Sequence, residues 1–325
     1  MKKAVSILVL TAVLFGATAC GKTPPDDNTT PDESATVTTV VTAGEKTADA
    51  SDSKTESPPD VPVTPPAILD EYVENYERNN DVVGHFIIEN TKVNYPLLQS
   101  DDGNDYYLTH NIDKNPDKRG SMVLDYKCSL AYGAMTDNIM IHGHNNAGDR
   151  DLSLSPISRY YHTTRNNTLS FYKSTPVIHA NSLYEKMEWK VFAMLMLNTQ
   201  PQHGDIIYFW NVTDFTDEQE FNDYIMMIMD KSVLHTDVDL QYGDQIMTAA
   251  TCYYPGPGID ARFVLFARKV RPGESSEVDV DKAYWNKSEF AFGSNSGTRT
   301  WDTSYLTSYK GDPDAPADGK SIKYK

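Results

Sequence analysis

The chain has 325 residues and a mass of 36.4 kDa, which is enough for one large domain or two modest ones. Lysine and arginine total 29 against 46 aspartate and glutamate, so the formal charge of −17 excludes a nucleic-acid partner, which needs clustered cations. Three cysteines exclude a disulfide scaffold, and a mean hydropathy of −0.51 excludes a polytopic membrane protein.

The first twenty residues have the pattern of an export signal. Two lysines precede an apolar run from Ala4 to Ala19, which is short for a membrane-spanning helix. Cys20 follows a small residue and resembles the lipid-modified cysteine of bacterial lipoproteins, although Ala17 stands where that pattern prefers leucine. We expect a lipoprotein-type signal peptide at residues 1–20, with a lipid on Cys20. The alternative is an ordinary cleaved signal peptide with an incidental cysteine.

Residues 21–66 are rich in Thr, Ser, Pro, Asp and Glu, and they contain no aromatic residue. Such a segment cannot bury enough apolar surface to offset the entropy lost on ordering, so we expect a disordered tether. Folding is predicted to begin near Ala67. The expected organisation is a catalytic domain at residues 67–272, followed by a polar extension of unknown role at residues 273–325.

Two amphipathic helices are predicted within the folded part. Thr64 before Pro65 suits a helix start, and apolar residues then recur three and four positions apart as far as Asn79. The second helix begins with a capping box formed by Thr216 and Gln219. It continues with an apolar stripe that is typical of core packing: Phe221, Tyr224, Ile225, Ile228 and Met229.

Short apolar runs between turn signals predict strands along the rest of the domain. The runs are Val82–Glu89, Val93–Leu98, Ser121–Leu124, Asn138–His142, Thr168–Tyr172, Met187–Leu197, Ile206–Trp210, Gln245–Thr251 and Phe263–Val270. Many short strands with irregular connections favour a mainly β fold, either a barrel or a sandwich, over βαβ units.

One of the remaining thiols stands where a nucleophile would be exposed. Cys252 ends a strand-like run and faces a Pro/Gly-rich loop, a position at the rim of a cleft. Ten residues later Arg262 opens the next strand, where its charge would favour a thiolate and steady an oxyanion. Cys128 lies in a loop-like stretch and is predicted to be a bystander.

A thiol nucleophile also needs a proton acceptor, and histidine is the usual one. His142 and His144 stand together at the end of another apolar strand. Their spacing could suggest metal ligands, but no third ligand is evident nearby, so no metal is predicted.

The order of these motifs resembles a sortase. The motifs are Gly143-His144-Asn145 after a strand, Thr248-Ala249-Ala250-Thr251-Cys252, and Arg262 at the start of the final strand. The ten-residue step from Cys252 to Arg262 is similar to class B, as are the two predicted helices. The resemblance covers about residues 67–270. It implies an eight-stranded β-barrel with an N-terminal helix and a helix inserted before the cysteine strand.

The resemblance also implies an activity, an extracellular cysteine transpeptidase of Gram-positive bacteria that needs no cofactor. Cys252 would attack a threonine carbonyl to form a thioacyl-enzyme, His144 would transfer protons, and Arg262 would stabilise the oxyanion. Four further residues would contribute to substrate binding: Asn104, Tyr107, Leu108 and Thr251.

The partners implied are surface proteins carrying a C-terminal sorting signal like Pro-X-Thr-Gly or Asn-Pro-X-Thr-Asn, and a peptidoglycan precursor amine. A lipid on Cys20 would hold the enzyme on the extracytoplasmic face of the cell membrane. Three departures from the family pattern leave the exact motif open. Ala249 and Ala250 replace bulkier or hydroxylated residues, Tyr253-Tyr254 replaces an acidic pair, and His142 stands where tyrosine is common.

Two other functions are compatible with the same residues. A cell-wall cysteine peptidase would release a free acid, but it usually places its cysteine before its histidine, at a helix start. Here the histidine comes first and both residues end strands. A catalytically silent lipoprotein binding module would have lost catalytic residues, whereas all three positions are filled.

Overall fold

The computed structural model describes residues 64–146, 151–200, 207–256 and 259–286. Its strands are β1 (Val82–Ile87), β2 (Asn94–Leu98), β3 (Met122–Leu124), β4 (Leu130–Ala131), β5 (Ala134–Met135), β6 (Asn138–His142), β7 (Val177–Ser182), β8 (Glu188–Asn198), β9 (Leu234–His235), β10 (Ile246–Gly256), β11 (Ile259–Lys269) and β12 (Tyr284–Trp285). Its α-helices are α1 (Asp70–Arg78), α2 (Asp105–Leu108), α3 (Ser158–Arg165), α4 (Ser170–Ser174) and α5 (Glu218–Lys231).

Eight strands close into a barrel in the order β1-β2-β3-β6-β10-β11-β8-β7. The interior is filled by alternate apolar residues of these strands, and Ala249 of β10 is one of them. The helices cover the outside: α5 packs on the outer face of β8, β10 and β11, while α1 and α2 pack on the outer face of β1–β3. The predicted eight-stranded barrel is therefore confirmed, and so are the helix at the N-terminal end and the helix before the cysteine strand. None of the helices in the described ranges is long and apolar enough to cross a membrane.

Both predicted helices form, with shifted starts. Helix α1 begins at Asp70 instead of Thr64, because Pro66 disfavours helical geometry at the residue before it and Leu69 N donates to Leu183 O. The cap of α5 is Asp217, whose side chain accepts from Glu220 N, so the capping pair lies one residue later than predicted. The apolar stripe predicted for α5 is buried as expected.

Two predicted strands are wrong. The run Thr168–Tyr172 contains the start of α4, because Leu169 adopts φ 53° and turns the chain into a helix that packs against α3. The described end of the run Ile206–Trp210 enters a 3₁₀ turn over Phe209–Asn211. Strand β7 and helix α3 were not predicted, because polar residues interrupt both apolar patterns.

The chain after the last barrel strand packs back on the barrel as far as residue 286. Arg268 is fully buried and donates from Nη1 and Nη2 to the two oxygens of Glu274, each bond 2.7 Å long. Lys190 Nζ adds a 2.6 Å bond to Glu274 Oε1. These bonds, with that of Arg268 first, hold the pKa of Glu274 well below its usual range although burial opposes them. Further along, β12 pairs with β9.

We expect Glu274→Gln to destabilise the fold by about 1–3 kcal/mol at pH 7, because it leaves the buried charge of Arg268 with only the more distant carboxylate of Asp239, at 3.4 Å. The folded-state pKa of Glu274 is depressed, so its contribution is complete above the unfolded pKa of about 4.3 and is lost as the pH falls below it. Urea unfolding at pH 7 and pH 3 measures both effects. Glu277→Gln, on an exposed neighbour, is the control. Equal stability of the two variants at pH 7 would contradict the prediction.

Candidate active site

Three neighbouring strands bring the predicted catalytic residues to one end of the barrel wall. Strand β10 pairs antiparallel with β11, and Cys252 lies directly opposite Arg262. On its other side β10 runs parallel to β6, with Ala250 opposite His142. Strand β6 ends at His142, and His144 follows two residues later. The structure therefore places the cysteine strand between the strand of Arg262 and the strand that leads to His144.

The site faces outward from the barrel. Ala249 belongs to the interior, whereas Ala250 packs with the outer layer beside α5. Side chains alternate along a strand, so Cys252 shares the outer face with Ala250. The side chain of Arg262 has an exposed fraction of 21%. The prediction that Cys252 ends its strand and Arg262 opens the next one is wrong, because β10 continues to Gly256 and β11 begins at Ile259.

Hydrogen bonds fasten the histidine turn to the cysteine strand. Thr251 Oγ1 donates to Gly143 O over 2.7 Å, and Asn145 Nδ2 donates to Cys252 O over 2.8 Å. Thr251 is buried, with 2% of its surface exposed. Its side chain thus joins the strand to the turn on the side away from solvent, while its role in substrate binding stays a prediction.

The imidazole of His144 is oriented by a backbone carbonyl. Its Nε2 lies 2.6 Å from Leu108 O, at the end of α2. A carbonyl oxygen only accepts, so Nε2 carries the hydrogen. In the neutral imidazole Nδ1 is then the atom that takes a proton, and in the imidazolium it is the atom that can give that proton back. Of the predicted substrate-binding residues, Leu108 thus contributes through its backbone to the histidine.

Gly120 sets the position of that carbonyl. Its φ of +59° favours glycine, and a Cβ built on it would lie 2.4 Å from Leu108 O. The backbone of residue 120 thus lies so close to Leu108 O, the acceptor of the His144 bond, that no side chain fits at position 120.

We therefore expect Gly120→Ala to lower both stability and turnover. Strain at a left-handed φ costs about 1–3 kcal/mol, and a catalytic group displaced by about 1 Å can lose about 100-fold in rate. Urea unfolding and kcat are the measurements. Gly243→Ala is the matched control, since Gly243 has φ +92° but no neighbouring atom within 4 Å of the added Cβ. If both variants lose the same stability and neither loses kcat, the contact with Leu108 O does not matter for catalysis.

Arg262 is held from one side of its guanidinium. Nη1 donates to Asp260 Oδ1 over 2.5 Å and to Ala261 O over 2.8 Å. Asp260 is itself tied to the end of β8, because its N–H donates to the side chain of Gln200 and its carbonyl accepts from Thr199. Within the described ranges, every guanidinium bond of Arg262 comes from Nη1, so Nε and Nη2 keep their donors for a ligand.

Two of the predicted substrate-binding residues differ in how far they are buried. Asn104 is half-buried and bonds to Asp125 and to the N–H of Tyr126. The ring of Tyr107 is fully buried, and its hydroxyl donates to Asp81 over 2.5 Å. Burial, followed by the bond to Asp81, raises the pKa of Tyr107 far above its usual value. Substrate contacts by these residues stay predictions.

Cys128 does not share the environment of Cys252. It is buried, and burial raises the pKa of its thiol to about 12, so it stays protonated and inert at neutral pH. Its Sγ lies 3.4 Å from Asn138 O, which fits a packing role. Cys20, the tether as far as residue 63 and residues 287–325 lie outside the described residues, and the predictions made for them are unchanged.

Sequence reasoning missed three residues that shape the site: Gly120, Asp125 and Asp260. The spacing of His142 and His144 could suggest metal ligands, but in the structure His142 donates a hydrogen bond to the carboxylate of Asp125 over 2.8 Å. Within the described ranges, no group of three or more His, Cys, Asp or Glu is arranged to hold a metal ion. The position of Asp125 directly after a predicted strand was the only local signal of its importance.

Comparison with known proteins yields relatives of one kind. Sortase B of Listeria monocytogenes is 29% identical over 185 residues, which cover 57% of this chain and 68% of the relative. Sortase B of Staphylococcus aureus is 26% identical over 199 residues, covering 61% and 74%. No protein-family model matches the chain.

Solved structures share the fold. A crystal structure of Staphylococcus aureus sortase B has a TM-score of 0.53 and 25% identity, over 62% of this chain and 87% of that one. A complex of Staphylococcus aureus sortase B with substrate has a TM-score of 0.52 at 24% identity, over 63% and 86%. Barrel order and sequence similarity thus agree on one class, the sortase-type cysteine transpeptidases. The relatives named above are sortases of class B, and this chain is similar to them in sequence and in fold.

Proposed function

We propose that the protein cleaves a C-terminal sorting signal after threonine and joins the new carboxyl end to an amine of peptidoglycan. The observation that carries this proposal is the register of β6, β10 and β11. It sets Cys252 opposite Arg262 and pairs the cysteine strand with β6, which leads to His144 two residues beyond its end. A nucleophile, a proton carrier and an oxyanion stabiliser are the groups that acyl transfer requires.

In the first half-reaction, Cys252 Sγ attacks the threonine carbonyl carbon. The carbonyl oxygen becomes an oxyanion, which the guanidinium of Arg262 stabilises. As the intermediate collapses, the C–N bond of the signal breaks and His144 gives a proton to the leaving amine. The product is a thioester between Cys252 and the threonine carbonyl.

In the second half-reaction, an acceptor amine attacks the thioester carbon. His144 takes a proton from the amine, a new amide bond forms, and the S–C bond breaks to restore the thiolate of Cys252. The bond from His144 Nε2 to Leu108 O leaves Nδ1 as the atom that exchanges protons in both halves.

The partners follow from the same chemistry. One solved sortase B is in complex with substrate and another is complexed with triglycine, a short peptide with a free amine. These complexes support a sorting-signal donor and an amine acceptor for this chain. The donor motifs to be compared are Pro-X-Thr-Gly and Asn-Pro-X-Thr-Asn.

The site of action is proposed from the N-terminal sequence. A lipid on Cys20 would hold the enzyme at the extracytoplasmic face of the membrane, with residues 21–66 giving it reach. Labelling of the protein by a radioactive fatty acid, lost in Cys20→Ser, tests the anchor. Equal labelling of both proteins, or none of either, would count against it.

The proposed reaction is tested by mass spectrometry of the purified chain mixed with signal peptides and triglycine. We expect a conjugate between the threonine carboxyl and the amine, together with an acyl adduct on Cys252. Release of a free acid with no conjugate would instead support a cysteine peptidase. Peptide binding without adduct or cleavage would support a silent binding module.

A further inference from the structure

We propose that Asp125 is a positioning residue for His144, because its carboxylate joins the end of β6 to the start of α2, whose last carbonyl orients the imidazole. This inference rests on the proposed function, in which His144 transfers protons. Asp125 touches no reacting atom, so its effect would pass through the residues that it holds.

The carboxylate of Asp125 is buried and carries three hydrogen bonds. Oδ2 accepts from His142 Nε2 and from Asn104 Nδ2, each over 2.8 Å, and Oδ1 accepts from Lys127 N over 3.0 Å. Burial raises the pKa of Asp125, but the bonds, with that of His142 first, outweigh burial and keep the pKa below its usual value. Asp125 is therefore an anion at neutral pH, and both of its oxygens accept hydrogen bonds.

One connection to His144 runs through α2. Asn104 stands directly before this helix and is bracketed by two bonds, its Nδ2 donating to Asp125 and its Oδ1 accepting from Tyr126 N over 3.0 Å. The helix has four residues, so it is about 6 Å long. Leu108 at its other end accepts from His144. The carboxylate and the catalytic imidazole are thus tied to opposite ends of one short helix.

A second connection runs through β6. His142 is the last residue of this strand and lies two residues before His144. Strand β3 pairs with β6, with Val123 opposite His142, so Asp125 is the diagonal neighbour of His142 on the same face. Because a carboxylate only accepts, His142 donates from Nε2 whether or not its ring is protonated.

One oxygen atom, Asp125 Oδ2, therefore holds both connections. Without the negative charge, the strand end and the helix start lose their shared acceptor. The turn at residues 143–145 and the carbonyl of Leu108 could then shift relative to each other. A misplaced imidazole slows proton transfer while leaving the peptide-binding surface in place.

The test is Asp125→Asn in the purified chain. The amide has nearly the same volume as the carboxylate, but its NH₂ group cannot accept hydrogen bonds from the donors that surround residue 125. We expect kcat to fall by about 10- to 100-fold with KM nearly unchanged. We also expect the pH profile of Cys252 alkylation by iodoacetamide to move to higher pH, because a displaced imidazole stabilises the thiolate less. Asp113→Asn, which removes an exposed carboxylate bonded to Arg78, is the matched control.

A second variant tests the same connection with less risk to folding. Asn104→Ala removes the link to α2 but leaves the bond between Asp125 and His142. It should lower kcat in the same direction, and its effect should be less than additive with that of Asp125→Asn. If Asp125→Asn does not fold, Asn104→Ala and His142→Gln carry the test, each with a reduced kcat. KM should be unchanged in His142→Gln, whereas Asn104 is also a predicted substrate-binding residue.

The proposal is overturned if folded Asp125→Asn keeps the parent kcat and alkylation profile, or if Asp113→Asn loses as much. Additive effects of Asn104→Ala and Asp125→Asn would also contradict a shared connection. Failure of the proposed function has a different signature. The parent chain would then form no conjugate, while iodoacetamide would still report how Asp125 affects Cys252.

Discussion

Replacing Cys252 by alanine is expected to abolish the acyl adduct and the conjugate, with a loss of turnover up to about 10⁶-fold. The reason is that the thioester forms only if the sulfur of Cys252 attacks the threonine carbonyl, and the same sulfur must later leave when the amine attacks. The outer face of β10 is half-buried at this position, so the smaller side chain should leave the barrel folded. Mass spectrometry of the adduct and kinetics with an amine acceptor are the measurements.

Cys128→Ala is the matched control for this variant. The Cys128 thiol is buried, and its pKa is raised to about 12, so it cannot act as a nucleophile near neutral pH. We expect a stability cost of about 1 kcal/mol and unchanged turnover. If Cys252→Ala kept its activity, or if Cys128→Ala lost activity without losing stability, the nucleophile would be misassigned.

Arg262→Lys is expected to lower kcat by about 10²–10³-fold, with a much smaller effect on folding. The guanidinium bonds to Asp260 and Ala261 through Nη1, while Nε and Nη2 keep their donors for a ligand. A lysine supplies one compact charge in place of this planar fork, so it cannot do both. The measurements are kcat, KM and urea unfolding.

Arg78→Lys is the control for the arginine substitution. Arg78 also binds a carboxylate, in its case through two nitrogens, but its partner Asp113 is exposed. We expect no change in kcat for this variant. Unchanged turnover in Arg262→Lys would remove Arg262 from the mechanism, and a loss confined to KM would make it a substrate-binding residue only.

The fold was predicted best where the signal is periodic and local. Strand β6 was predicted with its observed ends, and the apolar stripe of α5 is buried as expected. Prediction failed at Thr168–Tyr172, because five residues of apolar and polar character fit a strand as well as the start of a helix. What decided the outcome there was packing of α4 against α3, which no local pattern contains.

By itself the sequence determined that Cys252 and Arg262 could be neighbours, because a ten-residue step between two apolar runs indicates a hairpin. The motifs around His144 and Cys252 also carried the resemblance to sortases, since those residue types are needed for the chemistry.

Only the tertiary structure decided that β6 lies parallel to β10, so that the strand leading to His144 lies beside a cysteine strand far away in the chain. It also placed Leu108 O, Gly120 and Asp125 around the histidine. Contacts between distant segments form because burying the whole barrel offsets the entropy of closing long loops. That balance belongs to the complete fold and leaves no mark on a short stretch of sequence.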